Sequence, residues 1–212
     1  FTNYPPERVF VIHHGVPKWA YPPPEEEVEA ALAEFSLQRN KYLLFLGEPE
    51  GRKNLRLVLE GMPPELALVV SGGRLRPEDA EIARKRRIRV LQFPFLPAGR
   101  VRALMGGALA LAFPSLYEGF GMPLVEAMAA GCPVITSTHP ATSEVAGDAA
   151  LLVDPRDPAQ FSEAVRRLLD DGELRQALIS KGLERAKLFS WGRAAEETLR
   201  VYQVAIESRG GL

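Results

Sequence analysis

Seven short apolar runs, separated by longer amphipathic stretches, constrain this chain more than any other feature. The runs cover residues 9–13, 42–46, 67–71, 88–92, 108–113, 133–136 and 150–153. Most are apolar at consecutive positions, the pattern of strands buried on both faces of a parallel sheet. Helical patterns lie between them, at residues 25–35, 54–60, 76–87 and 98–105. Parallel strands require crossovers of this kind. The alternation therefore predicts an α/β fold, a Rossmann-like doubly wound parallel sheet. Residues 158–169, 173–188 and 192–206 read as a helical C-terminal tail. With 212 residues the chain can bury such a sheet without disulfide or metal staples.

The densest chemistry follows the apolar run that ends at Phe113. A glycine-bracketed loop carries Glu118, and it runs into a helix that Pro123 can start, since its fixed φ suits the first helical position. Glu126 lies about one turn inside that helix, among Val125, Ala127, Met128 and Ala129. A lone carboxylate on so apolar a helix is costly to bury unless a partner accepts it. The backbone N–H groups of a helix start can receive a phosphate. Strand, glycine loop, helix start and two spaced acids together point to a site for a phosphorylated sugar compound. The structural alternative is that Glu118 caps the helix and Glu126 pairs with a buried arginine.

Ser115-Leu116-Tyr117-Glu118-Gly119-Phe120-Gly121-Met122-Pro123, followed by Glu126-Ala127-Met128-Ala129-Ala130-Gly131, resembles the E-x7-E motif of family 4 (group 1) retaining glycosyltransferases. Phe45-Leu46-Gly47 and Arg52-Lys53-Asn54-Leu55 resemble the family's first strand and basic phosphate loop. Gly131-Cys132-Pro133-Val134-Ile135-Thr136, Glu144-Val145-Ala146-Gly147 and Leu151-Leu152-Val153-Asp154-Pro155 follow in the family's order. The stretch from Phe189-Ser190-Trp191 to Tyr202 resembles its closing helix. The resemblance covers residues 8–205.

That resemblance implies the C-terminal, donor-binding half of a two-domain GT-B enzyme, with the N-terminal acceptor domain absent from this sequence. Residues 1–21 would be the interdomain connection and first strand, 22–189 the nucleotide-sugar domain, and 190–212 the closing helix. The implied ligand is a nucleotide diphosphate sugar, used as donor substrate without a cofactor or metal. Glu118 would contact donor-sugar hydroxyls and Glu126 the ribose hydroxyls, since a carboxylate can accept from two adjacent hydroxyls. Gly119, Phe120, Gly121, Met122, Pro123 and Leu124 would line the nucleotide sugar, with the backbone of Gly121, Met122 and Leu124 toward its phosphates. Gly47 would belong to the same nucleotide-sugar-binding set. Lys53 aligns with the family's diphosphate lysine. Glu48 stands where the family often has arginine, and Arg52 is placed to supply that charge. Lys53, Arg52 and Glu118 would be the catalytic set, and this half alone would be inactive.

Other features carry alternatives. Phe95 and Phe93, after the run at 88–92, could stack on a nucleobase or belong to the core. Gly72-Gly73 could approach a ligand or form an ordinary turn. His13 and His14 are adjacent on an expected strand, where neighbours face opposite ways, so they read as structural rather than as a metal pair. His139, in an expected loop, is a minor sugar-contact candidate. The basic run Arg84-Lys85-Arg86-Arg87-Ile88-Arg89 reads as a solvated helix end. A net charge of -1 gives no case for nucleic-acid binding. No run reaches the roughly 20 apolar residues of a membrane-spanning helix, so membrane contact would come through the absent domain only. A single cysteine, Cys132, reads as core and fits a cytoplasmic location. A non-catalytic nucleotide-sugar-binding module and a GT-B phosphorylase or epimerase are the competing functions. A nicotinamide dehydrogenase is disfavoured, because no G-x-G-x-x-G follows the early strands.

Overall fold

The computed structural model describes residues 5–49 and 51–208. Six parallel strands form one sheet: β1 (Tyr42–Leu46), β2 (Ala67–Ser71), β3 (Arg89–Phe93), β4 (Ala110–Phe113), β5 (Val134–Ser137) and β6 (Leu151–Val153). Their order across the sheet is β3-β2-β1-β4-β5-β6. Every pairing is parallel, with Leu43 opposite Leu68 on one side and Ala110 on the other. The arrangement is the doubly wound order expected for a Rossmann-like fold.

The apolar runs are continuous because the two faces of each inner strand enter different cores. Leu44, Leu46, Val69, Leu111 and Phe113 lie in one core. Leu43, Phe45, Leu68, Val70, Ala110 and Ala112 lie in the other. Helices α1 (Glu25–Glu34), α4 (Ala98–Gly107) and α5 (Met122–Ala129) contribute to the first. Helices α2 (Leu55–Gly61), α3 (Pro77–Lys85) and α7 (Pro158–Asp170) contribute to the second. Cys132 lies in the first core, where burial pushes its thiol up to about 12.

The tail consists of α7, α8 (Gly172–Ala186) and α9 (Trp191–Glu207), with the short α6 (Pro140–Ala146) ahead of it. Asp157, Asp171 and Ser190 cap α7, α8 and α9, each accepting from first-turn N–H groups. Helix α7 packs on α2, and α8 packs on α5. In α9 only Ala194 is buried, while Leu199, Tyr202, Val204 and Ile206 are exposed.

Two expectations fail. Residues 9–13 form no strand; Val9, Phe10 and Val11 are exposed and run beside α9. Apolar character there reflects a surface against a helix rather than a place in the sheet. Residues 140–142, expected within the loop around His139, instead open α6, because Pro140 occupies the first turn, where a missing N–H costs nothing. The other six strands fall within two residues of their expected positions. Helix α5 starts at Met122, one residue before Pro123.

Candidate functional site

Strands β1 and β4 are neighbours in the sheet but far apart in sequence, and the chain winds away from them in opposite directions. A crevice opens outside the carboxyl ends of two such strands. Two loops border it: residues 47–49 and 51–54 after β1, and 114–121 after β4.

Backbone geometry shapes the first loop. Gly47 has φ +118, and a Cβ there would meet Lys53 Cε at 3.2 Å. Gly72, at φ +122, backs directly onto it, where a Cβ would lie 2.7 Å from the Gly47 carbonyl carbon. The room at Gly72 is taken by the Gly47 backbone of the same chain, a packing role that neither of the two readings named. Asn54 adopts a left-handed φ of 59, and its Nδ2 donates to the Pro114 carbonyl at 3.0 Å and the Pro155 carbonyl at 2.7 Å. The Leu116 N–H donates to the Arg52 carbonyl at 2.8 Å. These bonds tie the two loops together across the crevice.

The tie brings Lys53, Arg52 and Glu118 into contact. Lys53 Nζ donates to Glu118 Oε1 at 2.7 Å, and Arg52 Nη1 reaches the same oxygen at 3.3 Å. The Lys53 and Glu118 side chains are only 11% and 10% exposed, whereas Arg52 is about half exposed. The Lys53 ammonium also lies 4.5 Å from the Phe113 ring centroid, within cation–π range. An ion pair this sheltered is screened far less than a surface pair.

Glu118 does not cap α5. The cap position is Gly121, at φ 96, and no side chain caps that end. The helix start therefore faces the loop with backbone alone, and Pro123 removes one donor from it. Glu126 is half-buried on α5, and burial pushes its carboxyl above the ordinary range. Among the described residues no side chain donates to it or pairs with it, so the buried-arginine alternative is not realised. Phe120 turns its ring toward His13, His14 and Phe189.

Phe93 packs edge-on to Phe35 at 5.1 Å, half-buried against the first core. Phe95 is 78% exposed beyond the carboxyl end of β3, two strands from the switch point, so the core alternative does not hold for it. His13 and His14 do not lie on a strand facing opposite ways: both rings meet Phe120, and His13 Nε2 donates to Glu144 Oε1 at 2.9 Å. The described residues hold no His, Cys, Asp and Glu cluster suited to a metal. His139 caps α6 with its backbone and sets its ring 5.5 Å from Tyr117. The basic run is spent locally: Arg84 pairs with Glu81, Arg86 donates to Leu59 O, and Arg89 donates to Ser36 O and Phe35 O.

Sequence reasoning missed the supports. Asn54 is one. A buried hydroxyl set is another: Thr136 Oγ1 donates to Phe113 O at 2.9 Å and Ser137 Oγ to Ser115 O at 2.6 Å. Thr142 Oγ1 lies 3.1 Å from Ser137 Oγ. They fix the carbonyls at the end of β4. Their signal was available as hydroxyl residues closing an otherwise apolar strand.

An open parallel sheet with a basic loop, a glycine loop and a bare helix start at its switch point defines an α/β domain of the Rossmann-like class. The family follows from comparison: residues 11–185 match the model of glycosyl transferases group 1, and the chain belongs to that family. O-antigen chain mannosyltransferase B of Escherichia coli is 32% identical over 215 residues, 95% of this chain and 56% of that protein. The C-terminal domain of a group 1 family glycosyl transferase from Francisella tularensis superposes with a TM-score of 0.70 at 20% identity, covering 82% of this chain and 97% of that one. Anabaena HepE, solved with UDP-glucose, superposes with a TM-score of 0.78 at 16% identity, covering 93% of this chain and 57% of that one. These structures share the Rossmann-like fold of GT-B glycosyltransferases. The chain spans about half the length of the curated relatives it matches.

Among the described residues no helix is long and apolar enough to cross a membrane.

Proposed function

We propose that this chain is the donor-binding half of a retaining glycosyltransferase, which moves a sugar from a nucleotide diphosphate sugar to an acceptor hydroxyl in the cytoplasm. The observation that carries this reading is the sheltered Lys53–Glu118 pair, with Arg52 on the same oxygen, at the β1/β4 switch point. In the free chain Glu118 holds the ammonium in place. When donor binds, sugar hydroxyls give Glu118 new hydrogen bonds, and Lys53 and Arg52 turn to the diphosphate. As the bond from the sugar's anomeric carbon to the phosphate oxygen breaks, its electron pair moves onto that oxygen. Lys53, Arg52 and the N-terminus of α5 stabilise the growing charge, and oriented donors of this kind supply a large share of catalysis. The acceptor hydroxyl forms the new bond on the same face and passes its proton to the departing phosphate oxygen. Glu126, half-buried and without a side-chain partner among the described residues, takes the ribose hydroxyls. Gly119 to Leu124 line the nucleotide sugar, Gly47 closes the opposite side, and Phe95 is the exposed ring for the base. Fold likeness to a protein solved with UDP-glucose supports a nucleotide sugar as the ligand. Acceptor recognition belongs to an N-terminal half of the whole enzyme, so residues 1–212 alone give negligible transfer.

Isothermal titration with UDP, GDP, ADP and a sugar-bearing counterpart of each tests the reading. One base should bind, and Glu126→Ala should abolish that binding. Absence of binding by all six at millimolar concentration would reject it.

A further inference from the structure

Phe120 stands between Gly119 and Gly121 in the loop that carries Glu118. Glycines lose the most backbone freedom on ordering, so a loop bracketed by them needs an anchor. The ring of Phe120 is half-buried and meets three others. His14 lies edge-on at 5.1 Å, Phe189 edge-on at 5.6 Å, and His13 tilted at 5.9 Å. All three fall in the range of favourable aromatic pairs.

The anchors come from two segments at opposite ends of the chain, and these brace one another. The Val16 N–H donates to Phe189 O at 3.1 Å. Gly15 lies so close to the start of α9 that a Cβ there would sit 2.1 Å from Trp191 N. His14 also packs on Trp191 at 5.6 Å. The Glu144 carboxylate on α6 fixes His13 at 2.9 Å, and Arg185 stacks over Phe189 at 5.6 Å while its Nε donates to Val145 O. His13 and His14 are nonetheless exposed and add little to either core.

We propose that His13 and His14 are positioning residues. They clamp Phe120 and so order the backbone of residues 119–122 before the donor diphosphate arrives. The inference rests on the donor-site reading above for its ligand, but not for the clamp itself. One consequence is mechanical: any shift of residues 12–16 against residues 189–191 loosens the donor loop.

Hydrogen–deuterium exchange of the ligand-free chain tests the clamp directly. His14→Ala should speed exchange in peptides spanning 118–122 while leaving β1 and β4 unchanged. The affinity for whichever of UDP, GDP and ADP binds wild type most tightly should fall about 2- to 12-fold, the range of one aromatic pair. His14→Phe should restore both readouts, and His13→Ala should move them in the same direction as His14→Ala. Unchanged exchange at 118–122 in both alanine variants overturns the proposal, as does His14→Phe behaving like His14→Ala. If His14→Ala unfolds, His14→Leu keeps the bulk without the aromatic edge and gives the same contrast with His14→Phe. A wild type that binds no nucleoside diphosphate would reject the donor reading, while the exchange data would still decide the clamp.

Discussion

Replacing Lys53 by methionine isolates the central ion pair. The substitution keeps the apolar stem and removes the charge that lies 2.7 Å from Glu118 and 4.5 Å from the Phe113 ring. Removing one member of a fully buried pair costs about 3–5 kcal/mol. Here Arg52 still reaches Glu118 Oε1 at 3.3 Å, and both partners keep about a tenth of their exposure. A loss of about 2 kcal/mol is therefore expected. For a chain of this size that lowers Tm by roughly 4–8 °C. Glu118→Gln should cost less, about 1 kcal/mol, because the Phe113 face still receives the ammonium. The double variant strands neither charge, so its loss should be smaller than the sum of the two single losses. Urea and thermal unfolding of the four proteins give the cycle. Binding supplies a second axis. Lys53→Met should weaken a nucleoside diphosphate about 10- to 150-fold, the worth of a charge-assisted hydrogen bond of about 1.5–3 kcal/mol. Glu118→Gln frees the ammonium, so it should bind the bare diphosphate at least as tightly as wild type and the sugar-bearing form more weakly. A Tm for Lys53→Met within about 1 °C of wild type, or strictly additive losses, would refute the reasoning.

Glu126 should make stability depend on pH. Burial raises its carboxyl, so the folded chain keeps this proton to higher pH than the unfolded chain does. The folded state then binds more protons, and stability falls as pH rises from the unfolded value of about 4.3 through the raised one. Glu126→Gln removes the penalty: its Tm should match wild type near pH ~4 and exceed it near pH ~7, and a difference flat in pH would reject this. Asn54→Gly keeps the left-handed φ of 59 but deletes the bonds to Pro114 O and Pro155 O. A loss of about 1–3 kcal/mol in denaturant unfolding is expected, and a change below about 0.5 kcal/mol would mean that these bonds do not hold the loops together.

The layered fold was legible because consecutive residues of one strand, such as Leu43 and Leu44, enter different cores, which forces an unbroken apolar run. The same signal misled at residues 9–13, since apolar character reports contact with something and not which element provides it. Strand order was not legible from local pattern, because it is set by crossovers that place β4 beside β1. The candidate site divides in the same way. Glu118, Glu126 and the glycine loop lie close together in sequence and announced themselves. Resemblance alone put Lys53 and Glu118, 65 positions apart, in one set, and their direct ion pair became visible only once Asn54 joined their loops. One departure from folding rules does point to function from sequence alone. An acid among Val125, Ala127, Met128 and Ala129 serves packing badly, and among the described residues no side chain pairs with Glu126 to offset the burial that raises its carboxyl. A group that costs stability and repays nothing in the free chain is most simply explained by what it meets in the bound one, and residues that break local rules tend to gather at functional sites for that reason.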